Sequence, residues 1–143
     1  MKPNRIARRI EISGVVQGVG FRPFLYGLAQ TYGLAGEVSN TAAGVETLVQ
    51  GELEAIEGFV RDIRDKNPLL ARVDRITQEN APVGNFTGYS IVKSRASKNR
   101  TTLISPDVCT CSDCLAEMND PRDRRFEYPF INCTNCGPRF TII

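Results

Sequence analysis

The sequence predicts an α+β protein in two parts: two helices laid on one face of an antiparallel sheet, followed by a small cysteine-rich module. Three observations carry this reading. Over about ninety residues the apolar positions switch between a period of two and a period of three to four, in the order strand, helix, strand, strand, helix, strand. All five cysteines then fall between Cys109 and Cys136. Between these regions, Ser94 to Asp107 is polar, contains Lys98, Asn99, Arg100 and Pro106, and holds no period.

The first strand runs from Arg5 to Val16, where Ile6, Ile10, Ile12 and Val16 stand among charged residues. It ends in a glycine-rich turn, Gly14-Val15-Val16-Gln17-Gly18-Val19-Gly20-Phe21-Arg22. Pro23, Phe24, Leu25, Leu28 and Ala29 then signal a helix, with proline in its first turn. Leu34 to Asn40 and Val45 to Gln50 read as a hairpin turning at Thr41 to Gly44. Glu52 to Lys66 is the clearest helix: Leu53, Ile56, Phe59, Val60 and Ile63 share one face, and Arg64 and Lys66 near its end suit the helix dipole. Pro68 closes it. Arg72 to Glu79 and Tyr89 to Val92 read as further strands, separated by turn residues Pro82, Gly84, Asn85 and Gly88. The order βαββαβ is that of a ferredoxin-like sandwich.

Composition narrows the chemistry. Eighteen basic and 16 acidic residues give a net charge of +2, too little for the whole chain to attract nucleic acid, so any anion must be gripped locally. The absence of histidine removes the commonest general base and the commonest zinc ligand. No apolar run reaches the roughly 18 residues of a membrane span, and no export signal is visible, so the expected location is the cytoplasm. There, clustered cysteines favour metal over disulfides.

Two motifs bear chemistry. A glycine-rich turn at a helix N-terminus offers converging backbone N–H groups and a partial positive charge to a phosphate, and Arg22 adds a bidentate, permanently charged fork. A tight strand-to-helix turn, with Arg22 in a solvated ion pair, is the alternative reading of the same residues. In the second motif, Cys111-x2-Cys114 and Cys133-x2-Cys136 stand eighteen residues apart, the spacing of a structural four-thiolate zinc site. Cys109 is left as a spare thiol or alternative ligand, and Phe126, Tyr128, Phe130 and Phe140 are expected to form a minimal core around the metal. Arg122, Arg124 and Arg125 alternate with Asp120, Asp123 and Glu127, which reads as a solvated surface rather than a nucleic-acid face.

Residues 14 to 22, with Gly36-Glu37-Val38-Ser39-Asn40-Thr41, Gly44-Val45-Glu46 and Gly51 in register, resemble the acylphosphatase family over roughly residues 5 to 93. The resemblance implies the ferredoxin-like fold, a phosphoryl group held by Arg22 and by the backbone amides of Val16, Gln17, Gly18, Val19, Gly20 and Phe21, and Asn40 orienting the attacking water. On local sequence Asn40 reads equally as a turn former before Thr41. Joined to the cysteine pairs and to Tyr128-Pro129-Phe130-Ile131-Asn132-Cys133-Thr134-Asn135-Cys136-Gly137-Pro138-Arg139-Phe140-Thr141, the domain resembles the N-terminal part of the HypF family, carbamoyltransferases of nickel-iron hydrogenase maturation. That resemblance implies carbamoyl phosphate or a related acyl phosphate as substrate. It also implies ATP in downstream domains, a partner maturation protein that accepts the carbamoyl group on its C-terminal cysteine, and a chain that is a fragment of the whole enzyme. The expected division is residues 1–93 acylphosphatase-like, 94–106 linker and 107–143 zinc module. A stand-alone acylphosphatase and a non-catalytic module that docks phosphate and binds a protein or nucleic acid through its zinc finger are the competing readings.

Overall fold

The computed structural model describes residues 4–94 and 110–133. Most of the expected 94–106 linker, together with Cys109, Cys136 and Phe140, lies outside the described residues. The elements are β1 (Ile6–Val15), α1 (Phe21–Thr31), β2 (Ala35–Thr41), β3 (Gly44–Gly51), α2 (Leu53–Asp65), β4 (Arg72–Ala81), β5 (Tyr89–Ile91) and α3 (Ser112–Asn119).

Alternation decides which face of the sheet is buried. Ile10 and Ile12 of β1 pair with Thr47 and Val45 of β3, and Val38 of β2 also faces Thr47. All five are essentially fully buried, so this face receives the helices. Leu25, Leu28 and Ala29 of α1 and Ile56, Phe59 and Ile63 of α2 close the same core. Each such large apolar side chain contributes roughly 1.5–3 kcal/mol on burial. The intervening residues Arg9, Glu11, Glu46 and Leu48 fall on the other face, opposite the one that α1 and α2 cover.

The strands lie in the order β4-β1-β3-β2-β5. The β1, α1, β2, β3, α2, β4 series is the βαββαβ sandwich, and β5 is added at the β2 edge. The sheet is therefore not wholly antiparallel: β5 runs parallel to β2, with Gly36, Glu37 and Val38 opposite Tyr89, Ser90 and Ile91. After β4 the chain crosses to the opposite edge, and Gln50 holds the crossing by accepting from the Gly84 N–H at 3.0 Å. At the new edge, the Thr47 hydroxyl donates to the Glu37 carbonyl at 2.9 Å and so accepts from the Tyr89 hydroxyl at 2.6 Å. Burial raises the Tyr89 phenol far above its ordinary titration range, so it serves as a neutral donor.

One polar tie joins the helices. The buried Asp62 of α2 accepts from Tyr32, just past α1, at 2.7 Å and from Lys66 at 2.8 Å. The Lys66 ammonium and the Tyr32 hydroxyl hold the Asp62 carboxyl below its usual value of 3.8. Gly58 makes this approach possible, because a Cβ there would stand 2.5 Å from the Tyr32 ring.

The cysteine module departs from expectation in two ways. Cys111 caps an eight-residue helix, α3, that periodicity did not signal. Phe126, Tyr128 and Phe130 are 40%, 50% and 57% exposed, so they do not form the module's core. Ile131 and Cys114 are the buried pair instead, with Met118, Cys111 and Cys133 packed on them. The sulfurs themselves occupy the centre that aromatic rings would need. No described helix is long and apolar enough to cross a membrane.

Candidate functional site

Beyond Val15 the loop is pinned by Val16, Val19 and Phe21, each 1% exposed, while Gly18 stays at the surface. Gly18 and Gly20 take φ values of 71° and 74°, a left-handed backbone that a side chain would disfavour by roughly 1–2 kcal/mol. The three anchors hold the loop on the core, and the glycines between them permit its tight turns. Gly20 is the N-cap of α1; no side chain caps this helix, and its first turn carries no acid. The first N–H groups are thus left to an external acceptor, with the helix dipole favouring an anion. Arg22, in that first turn, is half-buried and has no carboxylate partner among the described residues. The solvated ion pair of the alternative reading is absent from them.

Topology brings Asn40 to the same end of the sheet. β3 is antiparallel to both β1 and β2, so the ends of β1 and β2 lie side by side, flanking the start of β3. Asn40 pairs with Val45, which pairs with Ile12, and this row belongs to the helix-bearing face. The Asn40 side-chain oxygen is buried and accepts no hydrogen bond among the described residues, so that oxygen is not spent on the turn. The Thr41 hydroxyl serves the turn instead, accepting from the Ala43 N–H at 3.3 Å.

Gln17 fastens the loop to the hairpin, a role that sequence reading missed by assigning only its backbone. Its amide nitrogen donates to the Thr41 carbonyl at 2.9 Å and to the Gly44 carbonyl at 2.8 Å. These two residues close the β2–β3 turn. The only sequence signal was a polar side chain between Val16 and Gly18. A surface groove of about 410 Å³ nearby, lined by Glu11, Thr41, Glu46 and Arg75 among others, includes neither Arg22 nor Asn40. An anion cradle built from backbone at a helix end needs no deep cavity.

In the second part, the sulfurs of Cys111, Cys114 and Cys133 lie within 4.8 Å of one another. The 3.6 Å between the Cys111 and Cys133 sulfurs is far beyond a disulfide, and it is close to the edge of roughly 3.8 Å that four zinc–sulfur bonds of ~2.3 Å impose on a tetrahedron. The donor set fits a thiophilic ion. Cys111 and Cys114 sit at the N-terminus of α3, where the Cys114 N–H donates to the Cys111 sulfur at 3.5 Å. The fourth expected ligand, Cys136, falls outside the described residues.

Fold and loop together define an acylphosphatase-type domain. Residues 8–91 match the family described as Acylphosphatase, and the chain belongs to that family. Residues 110–143 match the HypF finger. The pairing is that of the carbamoyltransferase HypF proteins: the chain is 47% identical over 94% of its length to a probable carbamoyltransferase HypF of Methanocaldococcus jannaschii, and 47% identical over 98% to carbamoyltransferase HypF2 of Cupriavidus necator. It spans 18% of the length of each. An acylphosphatase of Rhizorhabdus wittichii is 42% identical over 57% of this chain and 82% of its own. Among solved structures, full-length HypF in a phosphate- and nucleotide-bound form superposes with a TM-score of 0.90 at 46% identity, covering 100% of this chain and 19% of that one. Acylphosphatase from Bacillus subtilis superposes at 0.56 with 34% identity, over 62% of this chain and 98% of its own.

Proposed function

We propose that residues 8–91 hydrolyse an acyl phosphate, carbamoyl phosphate foremost, and do so in the service of carbamoyl transfer. The observation that carries this reading is an uncapped helix N-terminus with Arg22 unneutralised among the described residues, at the sheet end where the Asn40 oxygen is buried with no partner among them. The glycine loop and Arg22 bind the phosphoryl oxygens and stabilise the charge that grows on them. Asn40 accepts a hydrogen bond from a water and aims its oxygen at phosphorus. The water oxygen bonds to phosphorus as the bond from phosphorus to the acyl oxygen breaks. The carboxylate, or carbamate, departs with that electron pair, and the water's proton passes to a phosphate oxygen. No histidine is needed, because the leaving group is already a good one.

Cys111, Cys114 and Cys133, with Cys136, would hold a structural zinc ion, which staples a segment too small for its own core. Carbamoyl transfer to a maturation protein, and the ATP it uses, are proposed for the longer proteins of this kind. The boundaries at 93 and 107 are proposed as the limits of the two modules.

The test is phosphate release from carbamoyl phosphate and from acetyl phosphate. Turnover favouring carbamoyl phosphate is expected. Equal turnover would support a general acylphosphatase, and phosphate binding with no turnover would overturn the hydrolytic reading.

A further inference from the structure

Arg125 is the one cation that touches both halves of the cysteine site among the described residues. One guanidinium nitrogen donates to the Cys114 sulfur at 3.4 Å, and the other donates at 3.0 Å to the carbonyl of Asn132, the residue before Cys133. Glu117, one turn along α3 from Cys114, holds the same guanidinium at 2.8 Å. The Arg125 side chain is 26% exposed, against 90% for the neighbouring Arg122, which pairs with Asp120. Arg122 belongs to the solvated surface expected from the alternating charges, and Arg125 does not.

We propose that Arg125 is the positioning residue of the metal centre: it ties the two α3 cysteines to the Cys133 segment of the site and donates to the Cys114 sulfur. This rests on the zinc reading above. Four thiolates around a divalent ion leave a net charge of −2, and an N–H···S bond from a permanent cation stabilises the bound thiolate. The fork shape matters as much as the charge. Two nitrogens of one plane reach a sulfur and a carbonyl that are eighteen residues apart in sequence, which an ammonium on a single stem does not reproduce.

The experiment is zinc competition against a chromophoric chelator with the full chain, for wild type, Arg125→Met and Arg125→Lys. Arg125→Met keeps the aliphatic stem, so packing is largely preserved. Zinc affinity is expected to fall roughly 10–100-fold in Arg125→Met, the usual cost of losing an outer-sphere partner, with Arg125→Lys in between. In cobalt-substituted protein, the thiolate-to-metal charge-transfer band should move to lower energy in Arg125→Met, because a sulfur without its donor gives up charge more readily. A merely structural role would leave that band in place. Wild-type affinity and an unmoved band in Arg125→Met would overturn the assignment while leaving the zinc site standing. A wild-type chain that binds no zinc would overturn both.

Discussion

Replacing Gln17 by leucine keeps most of the side-chain volume and removes both donors that tie the glycine loop to the β2–β3 turn. Each bond is worth a net ~0.5–1.5 kcal/mol, so the pair accounts for roughly 1–3 kcal/mol. The Thr41 and Gly44 carbonyls lie within the closing pair of the hairpin, which moderates their loss. For a domain of this size the melting temperature should fall roughly 4–8 °C per kcal/mol. The kinetic effect should be larger than stability alone implies. Gln17 fixes the distance between the cradle before α1 and Asn40 beside Thr41, and a misplacement of about 1 Å in such a site can cost on the order of 100-fold. The assay pairs thermal unfolding with carbamoyl phosphate turnover well below the melting transition. Turnover should drop on the order of 10- to 100-fold while the protein remains folded. A Gln17→Leu protein that melts lower but turns over at the wild-type rate would refute the positioning role, and one unchanged in both would refute the clamp.

Gly58→Ala forces a Cβ to within 2.5 Å of the Tyr32 ring and displaces its hydroxyl from Asp62, so overpacking of about 1–3 kcal/mol should outweigh a helix-propensity gain of about 1 kcal/mol. Gly27→Ala on α1, where nothing lies within 4 Å of the new Cβ, should instead raise the urea midpoint; equal effects at the two positions would remove the packing account. Because the Asp62 carboxyl is held below 3.8 by Lys66 and Tyr32, its contribution is fully present above about pH 4 and is lost as pH falls through its folded-state value. The stability gap between wild type and Asp62→Asn should therefore be constant near neutrality and close in acid, and a gap that widens in acid would contradict the sign. Chelating zinc should unfold residues around α3 while the β1–β5 sheet keeps its amide protection; loss of protection throughout the sheet would show that the modules do not fold separately.

Much of this was legible in the sequence where local rules and burial agree. Ile10, Ile12, Val45 and Val49 alternate, and Ile56, Phe59 and Ile63 repeat at helical spacing, so β1, β3 and α2 emerged within a residue or two. β5 was visible as a strand, but its parallel pairing was not, because alternation says which face is buried and not which edge is free. α3 was hidden because its cap is a cysteine and only Cys114 is buried on it. The aromatic residues near the cysteines misled, since three rings that read as a core are exposed around a centre filled by sulfur and Ile131. At the proposed phosphate site, Arg22 and the glycines were candidates by type and spacing. The Gln17 clamp joins residues 24 and 27 positions apart, and no local pattern encodes such a contact.

The central claim is a division of labour: Arg22 holds the phosphoryl group and Asn40 acts on the water alone. It is tested most directly by measuring inorganic phosphate affinity and carbamoyl phosphate turnover side by side in Arg22→Ala and Asn40→Ala. The account predicts that Arg22→Ala loses both, whereas Asn40→Ala loses turnover by on the order of 100-fold or more and keeps near-wild-type phosphate affinity. Turnover surviving in either variant, or phosphate affinity lost in Asn40→Ala, would contradict it.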